Sequence, residues 1–147
     1  MWEGGRGVSK LLGVDRRETT NDDPTGRILG ACFEVSNELG HGFTEVVHQN
    51  SLLMALSSRG LAAEAQVPLK VRFRDVVVGE FVADIIVEKQ VIVELKVVDC
   101  LLTQHQAQLI NYLKATGLPV GLLINFGQPR VQYKRCYLVR NNSDPSC

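Results

Sequence analysis

The sequence predicts an α/β (α+β) fold, a mixed sheet flanked by helices, over most of its 147 residues. Three observations lead there. Two segments near the start and a third late in the chain carry apolar residues at helical spacing. Val- and Ile-rich runs fill most of residues 76–97 and 119–126. A helix lies between the second and third of these runs, and such a crossover makes the two strands it joins parallel.

Residues 1–22 are rich in Gly, Arg, Asp, Glu and Thr, with few aliphatics, and read as a flexible N-terminal tail. Arg6, Lys10, Arg16 and Arg17 read there as solvated charges rather than phosphate ligands. Asp23-Pro24 reads as an N-cap and a first-turn proline. Ile28, Ala31, Cys32, Val35 and Leu39 then mark a first helix, ended by Gly40 and Gly42. Thr44 caps a second helix that runs to about Arg59 and Gly60, with Val46, Val47, Leu53, Met54 and Leu56 as its apolar residues. Glu45 in its first turn suits the helix dipole, and His48 reads as a surface or packing residue.

Pro68 divides the next stretch into short strands, 63–67 and 69–74, and Asp75 marks a turn. Strands over 76–87, with a bend at Gly79, and over 91–97 follow. Leu102, Leu109, Ile110 and Leu113 form the buried stripe of a third helix, 103–116, closed by Gly117. Gln108 and Tyr112, four apart, lie one above the other on that helix, and His105 joins their line. Residues 119–126 read as a buried central strand and 131–139 as an edge strand with a basic end. The order is α-α-β-β-β-β-α-β-β, with one domain over 23–140 and a polar tail over 141–147.

Composition narrows the function. Forty-five per cent apolar and 22% charged residues are the proportions of a globular domain. Sixteen basic residues balance sixteen acidic ones, which argues against a protein that coats nucleic acid by charge. A local patch touching a few phosphates stays compatible with that balance. No apolar run reaches membrane-spanning length, so no membrane partner is expected. Four scattered cysteines without metal spacing, and no signal peptide, predict free thiols in a cytoplasmic protein.

The chemistry concentrates in the hairpin of residues 82–96. Asp84, Glu94 and Lys96 stand inside apolar runs, and an unpartnered buried charge costs several kcal/mol. A salt-bridge cluster at a sheet edge would explain them; so would a divalent-metal site with a lysine beside it. Glu94 and Lys96 share a face of their strand. A two-residue loop at Lys89-Gln90 would put Asp84 opposite Leu95 and turn it away. The metal reading therefore requires an odd-length loop or a bulge, with the Asp84 and Glu94 carboxylates converging.

Asp84, followed ten residues on by Glu94-Leu95-Lys96, resembles the signature of the PD-(D/E)XK nuclease superfamily, with Val82-Ala83 where its proline is expected. Gln108 to Tyr112 resembles that superfamily's Gln-x-x-x-Tyr motif. Gly42-Phe-Thr-Glu45-Val-Val-His48 resembles the name-giving motif of its GxxExxY protein family, with His48 in place of the Tyr. Residues 91–96, 105–109 and 120–127 read alike too.

The resemblance implies a restriction-endonuclease-like α-β-β-β-α-β core. It also implies hydrolysis of DNA or RNA phosphodiester bonds by metal-activated water. Asp84, Glu94 and the backbone carbonyl of Leu95, completed by Glu45, would bind Mg²⁺ or Mn²⁺. Lys96 would orient or deprotonate the water, and Gln108 and Tyr112 would position the phosphate. His105, Lys134 and Arg135 are candidate phosphate contacts. The alternatives are a non-catalytic nuclease-fold assembly module and a nuclease subunit that needs a partner. A small domain with an edge strand also suits a homodimer.

Overall fold

The computed structural model describes residues 23–138 and the short strand at 145–146. The expected N-terminal tail lies outside the described residues. Helices α1 (Thr25–Leu39) and α2 (Glu45–Ser58) precede strands β1 (Ala63–Phe73), β2 (Val76–Val87) and β3 (Val91–Lys96). Helix α3 (Thr103–Thr116) follows, then β4 (Val120–Asn125), β5 (Gln132–Leu138) and β6 (Pro145–Ser146). The strands form one sheet in the order β1-β2-β3-β4-β5-β6. The β3–β4 pair is parallel and the other pairs antiparallel, as the α3 crossover requires.

Side-chain alternation divides the core in two. Val91, Val93 and Leu95 of β3, with Leu122 and Ile124 of β4, face the helices α1 and α2. Ile92 and Leu123 face α3, against Leu109, Ile110, Tyr112 and Leu113. The sheet is therefore covered by helices on both faces. Gly121 lets α3 come close, since a Cβ there would lie 2.8 Å from a Leu109 methyl carbon.

Local chemistry explains the ends of the elements. The Asp23 carboxylate accepts the Thr25 N–H at 2.9 Å and caps α1. Thr44 occupies the cap position of α2, but its side chain makes no capping hydrogen bond. Arg74 and Asp75 both have positive φ, 52° and 66°, as a tight two-residue hairpin turn demands.

Four expectations need correction. Residues 63–73 form one strand, because β1 is an edge strand and Pro68 can stand there without breaking an inner ladder. The buried stripe of α2 is His48, Leu52, Ala55 and Leu56, whereas Val46 and Met54 are exposed. Apolar residues surround this helix, so the pattern did not single out the buried side. Within the expected polar tail, Pro145–Ser146 pairs with β5. Cys136, expected free, is disulfide-bonded; Cys32 and Cys100 are free. The return of β6 along β5 brings the C-terminal segment to that side of the sheet.

Asn125 and Gly127 lock the end of β4 to the segment after β3. The Asn125 amide accepts the Val98 N–H at 3.0 Å and donates to the Val98 carbonyl at 2.9 Å. It also accepts the Gly127 N–H at 2.9 Å. A Cβ on Gly127 would lie 2.3 Å from the Val98 carbonyl oxygen, so only glycine fits. Gly127→Ala should lower the unfolding free energy by about 1–3 kcal/mol in urea titration. Gly79→Ala, whose added Cβ meets only Phe81 at 3.6 Å, should change it far less.

Candidate active site

The β2–β3 loop sets the site. It is three residues long, Glu88 to Gln90, closing the ladder pair Val87↔Val91. Glu88 and Lys89 take positive φ, 55° and 54°, to make the turn. An odd loop carries the register Ile85↔Val93 onward to set Asp84 across from Glu94.

At that row side chains replace the main-chain ladder. The Asp84 N–H donates to Glu94 Oε2 at 2.9 Å, and the Leu95 N–H donates to Asp84 Oδ2 at 2.8 Å. Each carboxylate thus holds the backbone of the opposite strand. Glu94 is only 5% exposed, while Asp84 and Lys96 are half-buried.

The same row distorts β1. The ladder runs Ala65↔Ile85 and then Val67↔Ala83, passing over Gln66 and Asp84. Gln66 has φ +54°, a left-handed conformation that costs a non-glycine residue about 1–2 kcal/mol. Its amide donates to Gln49 of α2 at 2.8 Å, and Gln66 also favours the ionised form of Asp84. Sequence reasoning missed Gln66 as a site residue, since nothing in a single strand marks a left-handed glutamine. Asn125 was missed as well, although a polar side chain inside the apolar run 119–126 signals a required partner.

Electrostatics follow from burial. Glu94 is pushed up to about 8, first by desolvation and then by the Asp84 charge; the Asp84 N–H and Lys96 oppose this, and Glu45 adds to it. Desolvation also raises Asp84, against the Leu95 N–H, Lys96 and Gln66. The Tyr112 phenol is raised by burial and by the charges of Glu94 and Asp84. Tyr112 thus stands within electrostatic reach of both carboxylates.

The other candidate residues divide. Glu45 is exposed, and its charge reaches Glu94. Among the described residues, however, no three His, Cys, Asp or Glu side chains converge as a metal cluster. Gln108 is exposed on α3, whereas Tyr112, one turn on, is buried. Lys134 is exposed and shares the cross-strand row Glu94↔Leu123↔Lys134, two strands or about 10 Å from Glu94.

Two phosphate candidates are used elsewhere. Arg135 follows Lys134, so it faces the other side of the sheet, pairing with Asp23 at 3.2 Å. His105 Nδ1 accepts the Leu102 N–H at 3.0 Å and caps α3.

His48, expected at the surface or in packing, is fully buried. Its ring stacks on Phe126 at 4.5 Å and meets Phe43 edge-on at 6.0 Å. Neither ring nitrogen has a hydrogen-bond partner, and burial, aided by His41, pulls its pKa down. It therefore acts as a neutral aromatic spacer that seats the start of α2 on the end of β4.

The fold is thus a mixed sheet between helices, with two facing carboxylates and a lysine two residues on. The chain belongs to the PD-(D/E)XK nuclease superfamily, whose family model matches residues 22–136. No curated protein matches the chain. A similar solved structure is "Crystal structure of SSO0001", with 19% identity and a TM-score of 0.49. The similarity covers 75% of this chain, which spans 59% of that protein's length.

Two titrations check the electrostatics. Glu94 binds its proton more tightly folded than unfolded, so its contribution is full below the ordinary carboxylate range and is lost as pH rises toward 8. In metal-free buffer, Glu94→Gln should therefore gain Tm over wild type progressively between pH 5 and 8. His48, with a lowered pKa, has the opposite sign: its stability is present at neutral pH and falls as pH drops through the ordinary histidine range. His48→Phe should flatten that acid-side loss in differential scanning fluorimetry.

Proposed function

We propose that the chain is a divalent-metal-dependent nuclease that hydrolyses phosphodiester bonds of DNA or RNA. The observation that carries this reading is the facing of Asp84 and Glu94 across β2 and β3, with Lys96 on the face of Glu94.

The donor set fits Mg²⁺ or Mn²⁺. Two carboxylates and the Leu95 carbonyl are hard oxygen ligands. Glu94 held up to about 8 is a buried acid that lacks enough positive charge nearby. Asp84, Glu94 and the Leu95 carbonyl would hold the cation. When bound, it would supply an acidified water and offset charge on the phosphate.

The chain's own groups do the rest. Lys96 orients the attacking water and, as an ammonium, steadies the charge developing on the phosphate oxygens. The Tyr112 phenol donates a hydrogen bond toward the carboxylates or the phosphate. Gln108 at the rim positions the scissile group, and Lys134 meets a neighbouring phosphate. Glu45, exposed at the start of α2 with its charge reaching Glu94, would complete the cation site directly or through water.

A second reading, a nuclease-fold module that works by docking a partner, is favoured by the exposed apolar tip of the β1–β2 hairpin: Phe73, Val76 and Val78 are each 60% exposed. Cleavage separates the two. Single- and double-stranded DNA and RNA are incubated with Mg²⁺ or Mn²⁺. The nuclease should cut at least one polymer, Asp84→Ala should abolish cutting, and Lys96→Ala should slow it by about 10²–10⁴-fold. Cutting undiminished in Lys96→Ala would refute the assignment.

A further inference from the structure

The β1–β2 hairpin runs well past the carboxylates. β3 pairs with β2 only over Ile85 to Val87, so among the described residues β2 has no partner on that side over 76–83. A gap thus opens beside Asp84 where the two strands part. On the α3 side of the hairpin lie Val67, Leu69 and Ala83, all packed into the α3 core. Phe81, paired with Leu69 in the ladder, belongs to this side.

Its exposure is the anomaly. Its ladder partner Leu69 is 6% exposed and Ala83, two residues on, is fully buried, yet Phe81 is 47% exposed. One side of its ring has a neighbour, Tyr112, at 5.9 Å and tilted by 43°. Tyr112 in turn feels the charges of Glu94 and Asp84. Phe81 therefore stands one aromatic ring away from the carboxylates, on their side of the sheet, with an open face.

We propose that Phe81 is a base-stacking platform that directs the site to single-stranded nucleic acid or unpaired ends; this rests on the nuclease reading above. An open aromatic face attracts any unstacked base through its π surface, with little sequence preference. Bases inside a duplex already stack on their neighbours and cannot reach it without being flipped out. Phe81 is a positioning residue and touches no reacting atom.

Binding tests this separately from cleavage. A single-stranded oligonucleotide of about 12 nucleotides carrying 2-aminopurine is titrated with Ca²⁺ in place of Mg²⁺. Phe81→Leu keeps an apolar side chain against Tyr112 and should weaken binding roughly 10- to 100-fold, with KM rising likewise and kcat within about twofold. Phe81→Trp should restore both, and quenching of 2-aminopurine should follow the aromatic ring. Affinity for a blunt duplex should be the same in wild type and Phe81→Leu. Equal single-strand affinity in wild type and Phe81→Leu would overturn the proposal, as would an equal loss on duplex. So would a change in sedimentation from dimer to monomer in Phe81→Leu with affinity unmoved, which would make the hairpin a contact between copies. Cutting that persists with stacking disproved leaves the nuclease reading standing. Phe81-dependent binding without cutting removes that reading and keeps the platform.

Discussion

Everything at the site depends on the exchange between Asp84 and Glu94. Two acids with buried oxygens face each other, an arrangement that repulsion and desolvation both oppose. What holds them is that each carboxylate accepts a backbone N–H from the opposite strand, at 2.9 and 2.8 Å. Each such bond offsets part of the cost of desolvating its acceptor. The bonds also substitute for ladder bonds, so no backbone donor at this row is left buried and unpaired. The acids are therefore built into the hairpin's main-chain bonding and cannot swing aside without releasing two amides.

That exchange needs support from outside the hairpin. On one flank Gln66, in a strained backbone conformation, donates to Gln49 of α2 and favours the ionised form of Asp84. On the other, β4 is tied to the segment after β3 by Asn125, beside Lys96 in the register. The start of α2 is seated by His48 on Phe126, which directly follows Asn125. The backbone adds a further tie, Gly42 N–H to the Phe126 carbonyl at 2.9 Å. Glu45 is thereby held where its field reaches Glu94. The tyrosine replaced by His48 in the resembling family motif needs only to be an aromatic ring here, since the imidazole nitrogens bond to nothing.

The elements with one dominant period were legible in the sequence. Helix α3 spans the residues its stripe and Gly117 imply, and the parallel β3–β4 pair follows from its crossover. The hairpin posed a sharper case. Its residues left two registers open, and only the requirement that the acids converge chose an odd loop; the three-residue loop at Glu88 to Gln90 has that parity. Where several sides of an element look alike, the sequence was silent. Helix α2 is apolar around much of its circumference, and tertiary packing, not pattern, selected His48 over Val46 and Met54. Gln66 was hidden for a different reason: a left-handed backbone in a strand is imposed by a neighbouring strand and helix, which no local window contains. Lys134 and Arg135 show the value of alternation, for adjacent strand residues point to opposite faces and only one of a consecutive pair can serve the site.

The open edge of β2 begins at the row that holds the acids. An antiparallel ladder continues only while main-chain donors meet main-chain acceptors. At Asp84 and Glu94 the acceptors are side-chain oxygens, and β3 itself ends two residues later, at Lys96. β2 leaves β3 at that row and continues with β1 alone. The outer edge of β1 carries Pro68, Lys70, Arg72 and Arg74, residue types that discourage another strand from adding there. The free stretch of β2 carries Glu80 as its one charge among valines, a glycine and Phe81. An edge so lightly guarded is tolerable where something other than a strand is received. Here it borders the carboxylates, so the unpaired stretch of β2 and the acid pair share one end of the hairpin.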